Sequence, residues 1–320
     1  MKLLVVGPGA MGTLFAGLLA EGGHEVWLLG RRPDVVETIA RKGVTWVRGD
    51  RTRTAMVRSI LQARDAWPVD LALIFVKAYD TLQAAKDALP AMGPNSVALT
   101  LQNGLNNVEA IASVVGRERT LAGVTAYGAT LLSSGVVRHG GEGETAIGEL
   151  DGRETNRLLR VADAFRKAGI EVEISHHVDN LIWGKLIINA AINPLTALLR
   201  MRNGQLLSQQ ETRELMATIA LEGASVASSK GITLPYENPV EKAETVCRLT
   251  ASNRSSMLQD VDKGKLTEID CINGAVVREG RALGVPTPVN WTIVQLIKAL
   301  APTLGEPTRG SSLTLARPFP

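Results

Sequence analysis

The chain begins with a short apolar run and a glycine-rich turn, Leu3-Leu4-Val5-Val6-Gly7-Pro8-Gly9-Ala10-Met11-Gly12, which lead into an apolar helical stretch. This order of strand, turn and helix is the context in which the spacing G-x-G-x-x-G predicts a dinucleotide-binding site. Gly7 allows the sharp turn, Gly9 leaves room for a pyrophosphate, and Gly12 lets the helix pack closely on the strand. We therefore expect residues 7–12, with Pro8, Ala10 and Met11 among them, to bind a phosphate-bearing cofactor at the start of the helix.

The composition is that of a globular protein large enough for two domains, with 320 residues, 45% hydrophobic and 21% charged. Cys247 and Cys271 are the only cysteines and form no C-x-x-C pair, so neither a disulfide framework nor a metal site is expected, and the default location is cytoplasmic. The net charge of +3 is small and the basic residues are scattered, which argues against a nucleic-acid partner. Residues 3–20 carry no charge, but four glycines and a proline interrupt them, so no membrane partner is expected.

Apolar segments alternate with helical segments in the first half of the chain and predict strands at 2–6, 25–29, 71–77 and 96–102. Such alternation indicates an α/β fold with a Rossmann-like, doubly wound parallel sheet, in which ligands bind beyond the carboxyl ends of the strands. Lys77 and Asn103 come at two of these ends. A surface lysine and a turn asparagine are the simpler explanations for each alone, but together they favour a position in the cofactor crevice.

The end of the second predicted strand indicates which cofactor is bound. An acidic residue about 20 residues after the glycines normally binds the ribose 2′-hydroxyl of NAD. Here Gly30-Arg31-Arg32 occupies that place, and Asp34 comes slightly late. Because a guanidinium suits a 2′-phosphate, NADP(H) is the predicted cofactor and Arg31 its contact, although both arginines could simply begin a solvated helix.

The pattern changes along the rest of the chain. Residues 120–176 contain short β-prone segments that indicate the antiparallel end of the sheet, with 171–175 as a closing strand. From Asp179 to about Leu304 the periodicity is helical, which predicts an all-α second domain. We therefore expect a cofactor-binding domain at 1–176, a helical substrate domain at 177–305 and a tail at 306–320.

The helical half opens with an apolar stretch that carries Lys185, Asn189 and Asn193 at positions i, i+4 and i+8. On a helix these side chains form one polar stripe, and a buried polar stripe needs partners, a ligand or water. The asparagines could instead bond between helices, Pro194 could kink or end the helix, and Lys185 could reach solvent. Because two amide side chains lie on the same face of the predicted helix as Lys185, a functional lysine is favoured.

A second polar cluster comprises 255–260 and 267–270. Thr267 and Asp270 are spaced as a capping box, and apolar residues then recur at helical spacing as far as Leu283. This pattern predicts that Glu268 lies in the first turn of a helix, where a favourable interaction with the helix dipole explains it without a catalytic role.

Six spaced motifs, in order across nearly the whole chain, resemble those of the ketopantoate reductase (2-dehydropantoate 2-reductase) family. They are the glycine turn, Lys77 after a buried strand, Leu101-Gln102-Asn103-Gly104, Trp183 to Leu198, Ser255 to Asp260, and Thr267-Glu268-Ile269-Asp270. The resemblance implies an NADPH-dependent reductase with a Rossmann domain and a helical C-terminal domain, which produces pantoate for pantothenate and coenzyme A synthesis.

The resemblance also implies roles for individual residues. Lys185 matches the catalytic lysine that protonates the ketone oxygen, Glu268 matches the glutamate that accepts a hydrogen bond from the substrate hydroxyl, and Arg31 matches the 2′-phosphate contact. Substrate contacts are implied for Lys77, Asn103, Asn189, Asn193 and Ser256. Lys77, Asn103 and Glu268 are expected to border the cofactor as well. Pro8 removes an N–H group that the family usually keeps in the turn.

Three alternatives stay open at this point. An NADP-dependent reductase of another 2-oxo acid or an imine would share the scaffold, and a non-enzymatic NADP(H) sensor would keep the glycines but lose Lys185. A structural partner protein would show an apolar surface stripe instead of a buried polar one. The expected partner is a small 2-oxo acid, and the apolar helical faces of the second domain allow a homodimer.

Overall fold

A computed structural model describes residues 1–300 and shows a mixed α/β part followed by helices. In that range the strands are β1 (Lys2–Val6), β2 (Glu25–Leu29), β3 (Val44–Arg48), β4 (Arg51–Ala55), β5 (Arg58–Ile60), β6 (Val69–Ile74), β7 (Met92–Thr100), β8 (Thr120–Thr125), β9 (Gly128–Ser133), β10 (Val136–Gly141), β11 (Thr145–Glu149) and β12 (Val172–Ile174). The helices are α1 (Ala10–Glu21), α2 (Pro33–Lys42), α3 (Thr81–Ala88), α4 (Asn107–Val115), α5 (Asn156–Lys167), α6 (Val178–Leu199), α7 (Gln210–Ser229), α8 (Pro239–Leu249), α9 (Ser256–Asp262), α10 (Asn273–Leu283) and α11 (Pro288–Leu300).

The main sheet has eight strands in the order β12-β11-β8-β7-β6-β1-β2-β5. Its central pairs are parallel, with β1 between β2 and β6. Apolar residues on both faces of the strands are buried, since α3 and α4 share one core cluster with the sheet while α1 and α5 share another. The expected α/β fold with a helical C-terminal region is therefore confirmed, and so are the predicted strands β1 and β2.

One expectation about the N-terminal half is wrong, and another is confirmed only in part. The segment between β2 and β6 was expected to hold only a helix, but β3, β4 and β5 lie there too, and β3 and β4 join a second sheet in the order β4-β3-β10-β9. The segment after residue 120 is not simply an antiparallel end. Strand β8 is parallel to β7, and β9 and β10 leave the main sheet for the second one. Strand β11 pairs antiparallel with β8 and parallel with β12, so β11 and β12 form the expected antiparallel end.

The second sheet lies against α1, whose Gly17 permits the contact. A Cβ on Gly17 would stand 2.7 Å from the Trp46 ring, so helix and sheet meet more closely than any side chain would allow. The fully buried Phe15 shares this core with Trp46 of β3 and Val137 of β10. This contact covers one side of α1 and positions β9 beside the glycine turn at the start of that helix.

Helix α6 is the centre of the helical half. It continues through Pro194 to Leu199, so the proline does not end it. Among residues 1–300 it is the one helix long and apolar enough to cross a membrane, but 72% of its most apolar window is buried inside the protein. Its length and hydropathy are therefore those of a core helix.

A buried polar network fixes the helices around α6. The Asn273 amide donates to Ala190 O and to Asn290 Oδ1, at 3.1 and 3.0 Å. Asn290 in turn donates to Ile219 O and to the Glu222 carboxylate. Both asparagines are fully buried, so these bonds link α10 and α11 to α6 and α7 and hold α6, which carries Lys185, in place.

The predicted end of the helical region beyond residue 300 and the predicted tail at 306–320 lie outside the described residues.

Candidate active site

A cleft of about 610 Å³ lies between the carboxyl edge of the main sheet and the helical half. Most residues singled out in the sequence line it: Gly7, Pro8, Gly9, Ala10, Met11, Arg31, Lys77, Asn103, Lys185, Ser256 and Glu268. The cleft therefore joins the glycine turn at one end to the polar groups of α6 and α9 at the other.

The glycine turn has the geometry that a pyrophosphate needs. Gly7 has a φ of +102°, and a Cβ on Gly12 would lie 2.0 Å from Gly7 O, so neither position accepts a side chain. A Cβ on Gly9 would have only Phe75 O within 4 Å, at 3.9 Å, which leaves open space on that side. The first turn of α1 carries no acidic residue and no side-chain cap, so its N–H groups are available to an anion. These residues fit a dinucleotide.

Arg31 stands at the end of β2 on the rim of the cleft. Its guanidinium pairs with Asp87 at 3.1 Å and with Asp80 at 3.4 Å, and about half of its side chain is exposed. Arg32 pairs instead with Asp34 at the start of α2. Arg31 is therefore the arginine that lines the cleft close to the glycine turn, while two acids from the α3 side share its charge.

Lys77 bridges the two halves of the protein. It follows β6, and its ammonium lies 2.5 Å from Asp260 Oδ2 on α9 and 3.4 Å from Glu268 Oε2. Burial disfavours the ammonium, but the two carboxylates outweigh this effect and raise the pKa of Lys77. The backbone N–H of Ala78 donates to Glu268 Oε1 at 2.9 Å, so Glu268 is fixed from the sheet side through both oxygens.

The backbone around Glu268 differs from the predicted one. The expected capping box does not form, because α10 begins at Asn273 and Glu268 lies in the turns before it. The N–H of Leu105 donates to Cys271 O at 2.9 Å, which ties these turns to the loop after β7. Glu268 is 8% exposed, so contacts across the cleft, rather than a helix dipole, account for its position.

Lys185 points across the cleft from α6 to the end of β8. Its ammonium donates to Thr125 O at 2.6 Å. Burial lowers the pKa of Lys185 to about 8, although the charge of Glu268 opposes the shift. An ammonium in this state is a ready proton donor near neutral pH.

Two ammoniums, Lys77 and Lys185, face two carboxylates, Asp260 and Glu268, in the cleft. Lys263 and Lys265 also line the cleft, so these six groups together carry an excess of positive charge. A carboxylate substrate is therefore attracted to the cleft and can bind through neutral donors as well as through lysines.

The remaining predicted residues are divided between the cleft and its surroundings. The side chains of Asn103 and Ser256 line the cleft, from the loop after β7 and from the start of α9. Asn189 and Asn193 follow Lys185 along α6 but do not line the cleft, and Asn193 is 7% exposed. Gly12 also lies behind the lining, where it packs on Gly7.

The family described as "Ketopantoate reductase PanE/ApbA" matches residues 3–152, and the corresponding C-terminal family, "Ketopantoate reductase PanE/ApbA C terminal", matches residues 177–301. The chain belongs to the ketopantoate reductase PanE/ApbA family. Membership confirms the predicted family and the predicted oxidoreductase.

Related proteins match this member of the ketopantoate reductase family over almost their whole length. The 2-dehydropantoate 2-reductase of Archaeoglobus fulgidus is 36% identical over 299 residues, which are 93% of this chain and 97% of the relative. The crystal structure of a PanE/ApbA family ketopantoate reductase from Ralstonia eutropha JMP134 is 32% identical, with a TM-score of 0.87, covering 95% of this chain and 99% of that one. A D-mandelate dehydrogenase, solved with NADH and anilino(oxo)acetate, is 28% identical, with the same TM-score and the same coverage.

Two groups that interact with the lysines of the cleft in this member of the ketopantoate reductase family were not assigned a role from the sequence. Asp260 was noted only as part of a polar cluster, yet it makes the shorter bond to Lys77. Thr125 O, the acceptor of the Lys185 bond, is a backbone atom at a strand end and leaves no side-chain signal in the sequence. The one available signal was an acid, Asp260, next to the apolar residues Met257, Leu258 and Val261, which are buried with it in α9.

Proposed function

We propose that the protein reduces 2-dehydropantoate (ketopantoate) to pantoate with NADPH, a step of pantothenate and coenzyme A synthesis. The observation that carries the proposal is that the glycine turn, Arg31, Lys185 and Glu268 all line the same cleft. The names of sequence relatives support the substrate, because the proteins of Archaeoglobus fulgidus and Vibrio cholerae, matched over 97% and 98% of their length, are 2-dehydropantoate 2-reductases.

Lys185 acts as the general acid in this proposal. The nicotinamide, when bound, supplies the hydride that the carbonyl carbon of the substrate receives. As negative charge grows on the carbonyl oxygen, the Lys185 ammonium gives it a proton, which completes the alcohol. A pKa of about 8 keeps Lys185 mostly protonated at neutral pH and makes the proton easier to release than from an exposed lysine.

Glu268 selects a substrate with a hydroxyl group. The residue is 8% exposed and its carboxylate accepts a hydrogen bond from Ala78 N, so moving the carboxylate away from the cleft would break that bond. Each carboxylate oxygen accepts more than one hydrogen bond, so Glu268 can accept from the hydroxyl of ketopantoate in addition to Ala78 N and Lys77 Nζ. Ser256 and Asn103 offer further hydrogen bonds to the substrate from the two sides of the cleft, and Lys77 adds a charge. Asn189 and Asn193, which lie one and two turns after Lys185 on α6, complete the proposed set of substrate-binding residues.

Arg31 makes NADPH the proposed cofactor. Its guanidinium lines the cleft at the end of β2, where a carboxylate would favour NAD. Asp80 and Asp87 share that charge, so a bound 2′-phosphate has to compete with them for the guanidinium.

A second candidate is the reduction of a different 2-oxo acid. The D-mandelate dehydrogenase neighbour, with its NADH and anilino(oxo)acetate, shares the fold over 95% of this chain. A fold shared this widely does not determine the substrate, so the two candidates are separated at Glu268.

The test compares wild type and Glu268→Gln on ketopantoate and on 3,3-dimethyl-2-oxobutanoate, which differs from ketopantoate only in lacking the hydroxyl. We expect wild type to prefer ketopantoate in kcat/KM by about 100-fold or more, and Glu268→Gln to lose most of this preference. Asp262→Asn, which removes a carboxylate that pairs with Arg200 and Arg254 outside the cleft, is the control and should retain the preference. Equal turnover of both acids by wild type would contradict the proposal in favour of the second candidate.

A further inference from the structure

Asp260 and Glu268 share one ammonium, that of Lys77, and share it unequally. Asp260 Oδ2 is 2.5 Å from Lys77 Nζ, whereas Glu268 Oε2 is 3.4 Å away. All three side chains are largely shielded from water, with 33% of Lys77, 11% of Asp260 and 9% of Glu268 exposed. Buried charges interact strongly, so the position of this ammonium affects everything that faces it.

Asp260 keeps the Lys77 ammonium from closing on Glu268. If Asp260 lost its charge, Glu268 would be the nearest remaining carboxylate, and the ammonium would move towards it. The Glu268 carboxylate would then form a closer ion pair with the Lys77 ammonium. It would interact less with Lys185, whose ammonium it stabilises, and it would be a poorer acceptor for a substrate hydroxyl.

We propose that Asp260 is a positioning residue. It holds the Lys77 ammonium against α9, so that the Glu268 carboxylate can interact with Lys185 and accept a hydrogen bond from the hydroxyl of the substrate. The inference deepens the proposed function and rests on it. Asp260 acts through Lys77 and Glu268 and needs no contact with the substrate. Because Lys77 follows β6 and Asp260 belongs to α9, the pair also sets the distance between the two walls of the cleft.

Other titratable groups near this cluster are few among residues 1–300. Tyr79, Asp260 and Glu268 face Lys77, Glu268 faces Lys185, and Cys271 faces Glu268. Lys263 and Lys265 line the same cleft. Asp262 lies two residues after Asp260 on the same helix but pairs outside the cleft, with Arg200 and Arg254. Asp262→Asn is therefore a matched control that removes the same charge from the same helix.

The experiment uses the full chain as wild type, Asp260→Asn, Asp260→Glu and Asp262→Asn. The first readout is the rate of reductive methylation of Lys77, measured by peptide mass spectrometry at pH 8 without cofactor or substrate. We expect Asp260→Asn to speed this modification about tenfold, because a lysine that loses an ion pair is deprotonated more often. Asp260→Glu and Asp262→Asn should stay close to wild type.

The second readout is the pH profile of kcat/KM for ketopantoate with NADPH. We expect Asp260→Asn to lower kcat/KM by about 10- to 100-fold and to move the fall at high pH to lower pH, since Glu268 supports the Lys185 ammonium less. Asp260→Glu should recover most of the rate and the wild-type profile. A residue that merely stabilised the fold would lower the melting temperature without moving this limb.

The two readouts separate the inference from the function on which it rests. Wild type without turnover of ketopantoate would overturn the proposed function, while Lys77 modification would still test the contact with Asp260. Unchanged Lys77 modification in Asp260→Asn, an unmoved pH limb, or an equal effect of Asp262→Asn would overturn the positioning role.

Discussion

Lys185 should make the rate of ketone reduction fall between pH 7 and pH 9. With a pKa of about 8, the ammonium form of Lys185 makes up about 90% of the enzyme at pH 7 and about 10% at pH 9. At the ordinary lysine value of 10.5, nearly all of it would be protonated at both. Since only the ammonium donates a proton, kcat/KM should fall about tenfold over these two pH units.

The assay is the initial rate of NADPH oxidation with ketopantoate, in buffers of constant ionic strength from pH 6 to 10. The other shifted groups that line the cleft are Arg32, Lys77, Tyr79 and Tyr127, and the pKa of each is raised, so none of them titrates between pH 7 and 9. Lys185→Ala should lower the rate by about 10²- to 10⁴-fold. Lys185→Arg keeps a positive charge that does not titrate in this range, so its small residual rate should be flat.

Two results would refute this reasoning. A wild-type profile that stays level to pH 9 would mean that Lys185 keeps an ordinary pKa or gives no proton in the reaction. A fall at high pH that persists in Lys185→Arg would assign the titration to another group.

Other perturbations test the cofactor end of the cleft and the helical core. Arg31→Ala should weaken NADPH binding about 10- to 100-fold in a fluorescence titration and NADH binding much less, and equal losses would remove its 2′-phosphate role. Gly9→Ala, whose Cβ meets only one atom at 3.9 Å, should keep the wild-type melting temperature but lose at least about tenfold in NADPH affinity. Gly12→Ala, whose Cβ would lie 2.0 Å from a backbone oxygen, should lower the melting temperature instead, and equal stabilities of the two variants would contradict this distinction. Asn290→Ala should reduce the free energy of unfolding in urea by about 2–4 kcal/mol, because buried partners lose their donor; a change below about 1 kcal/mol would show that the network is dispensable.

Local patterns made the cofactor end of the cleft predictable. The apolar strand β1 and the glycine spacing after it depend on neighbouring residues alone, and both appear where they were expected. The polar stripe headed by Lys185 likewise depends only on helical spacing, and α6 carries it. Arg31 was placed by its position at the end of a predicted strand, and it lines the cleft.

Long-range contacts decided the features that the sequence did not reveal. Strand β4 reads Arg-Thr-Arg-Thr-Ala and is largely exposed, so it has no apolar alternation, and it belongs to a sheet completed by strands some 80 residues further along the chain. Glu268 sits before its helix because bonds to Ala78 N and to the loop after β7 override the helical periodicity. The importance of Asp260 depends on Lys77, which is 183 residues away in the chain.

The most direct test of the account is the loss of NADPH absorbance when purified protein meets ketopantoate, run beside NADH at the same concentration. The account predicts rapid oxidation of NADPH that needs ketopantoate, and a much smaller kcat/KM with NADH. Absence of turnover in the presence of tightly bound NADPH would contradict the proposed reaction and assign the cleft to another carbonyl substrate. Equal use of NADH would contradict the role of Arg31.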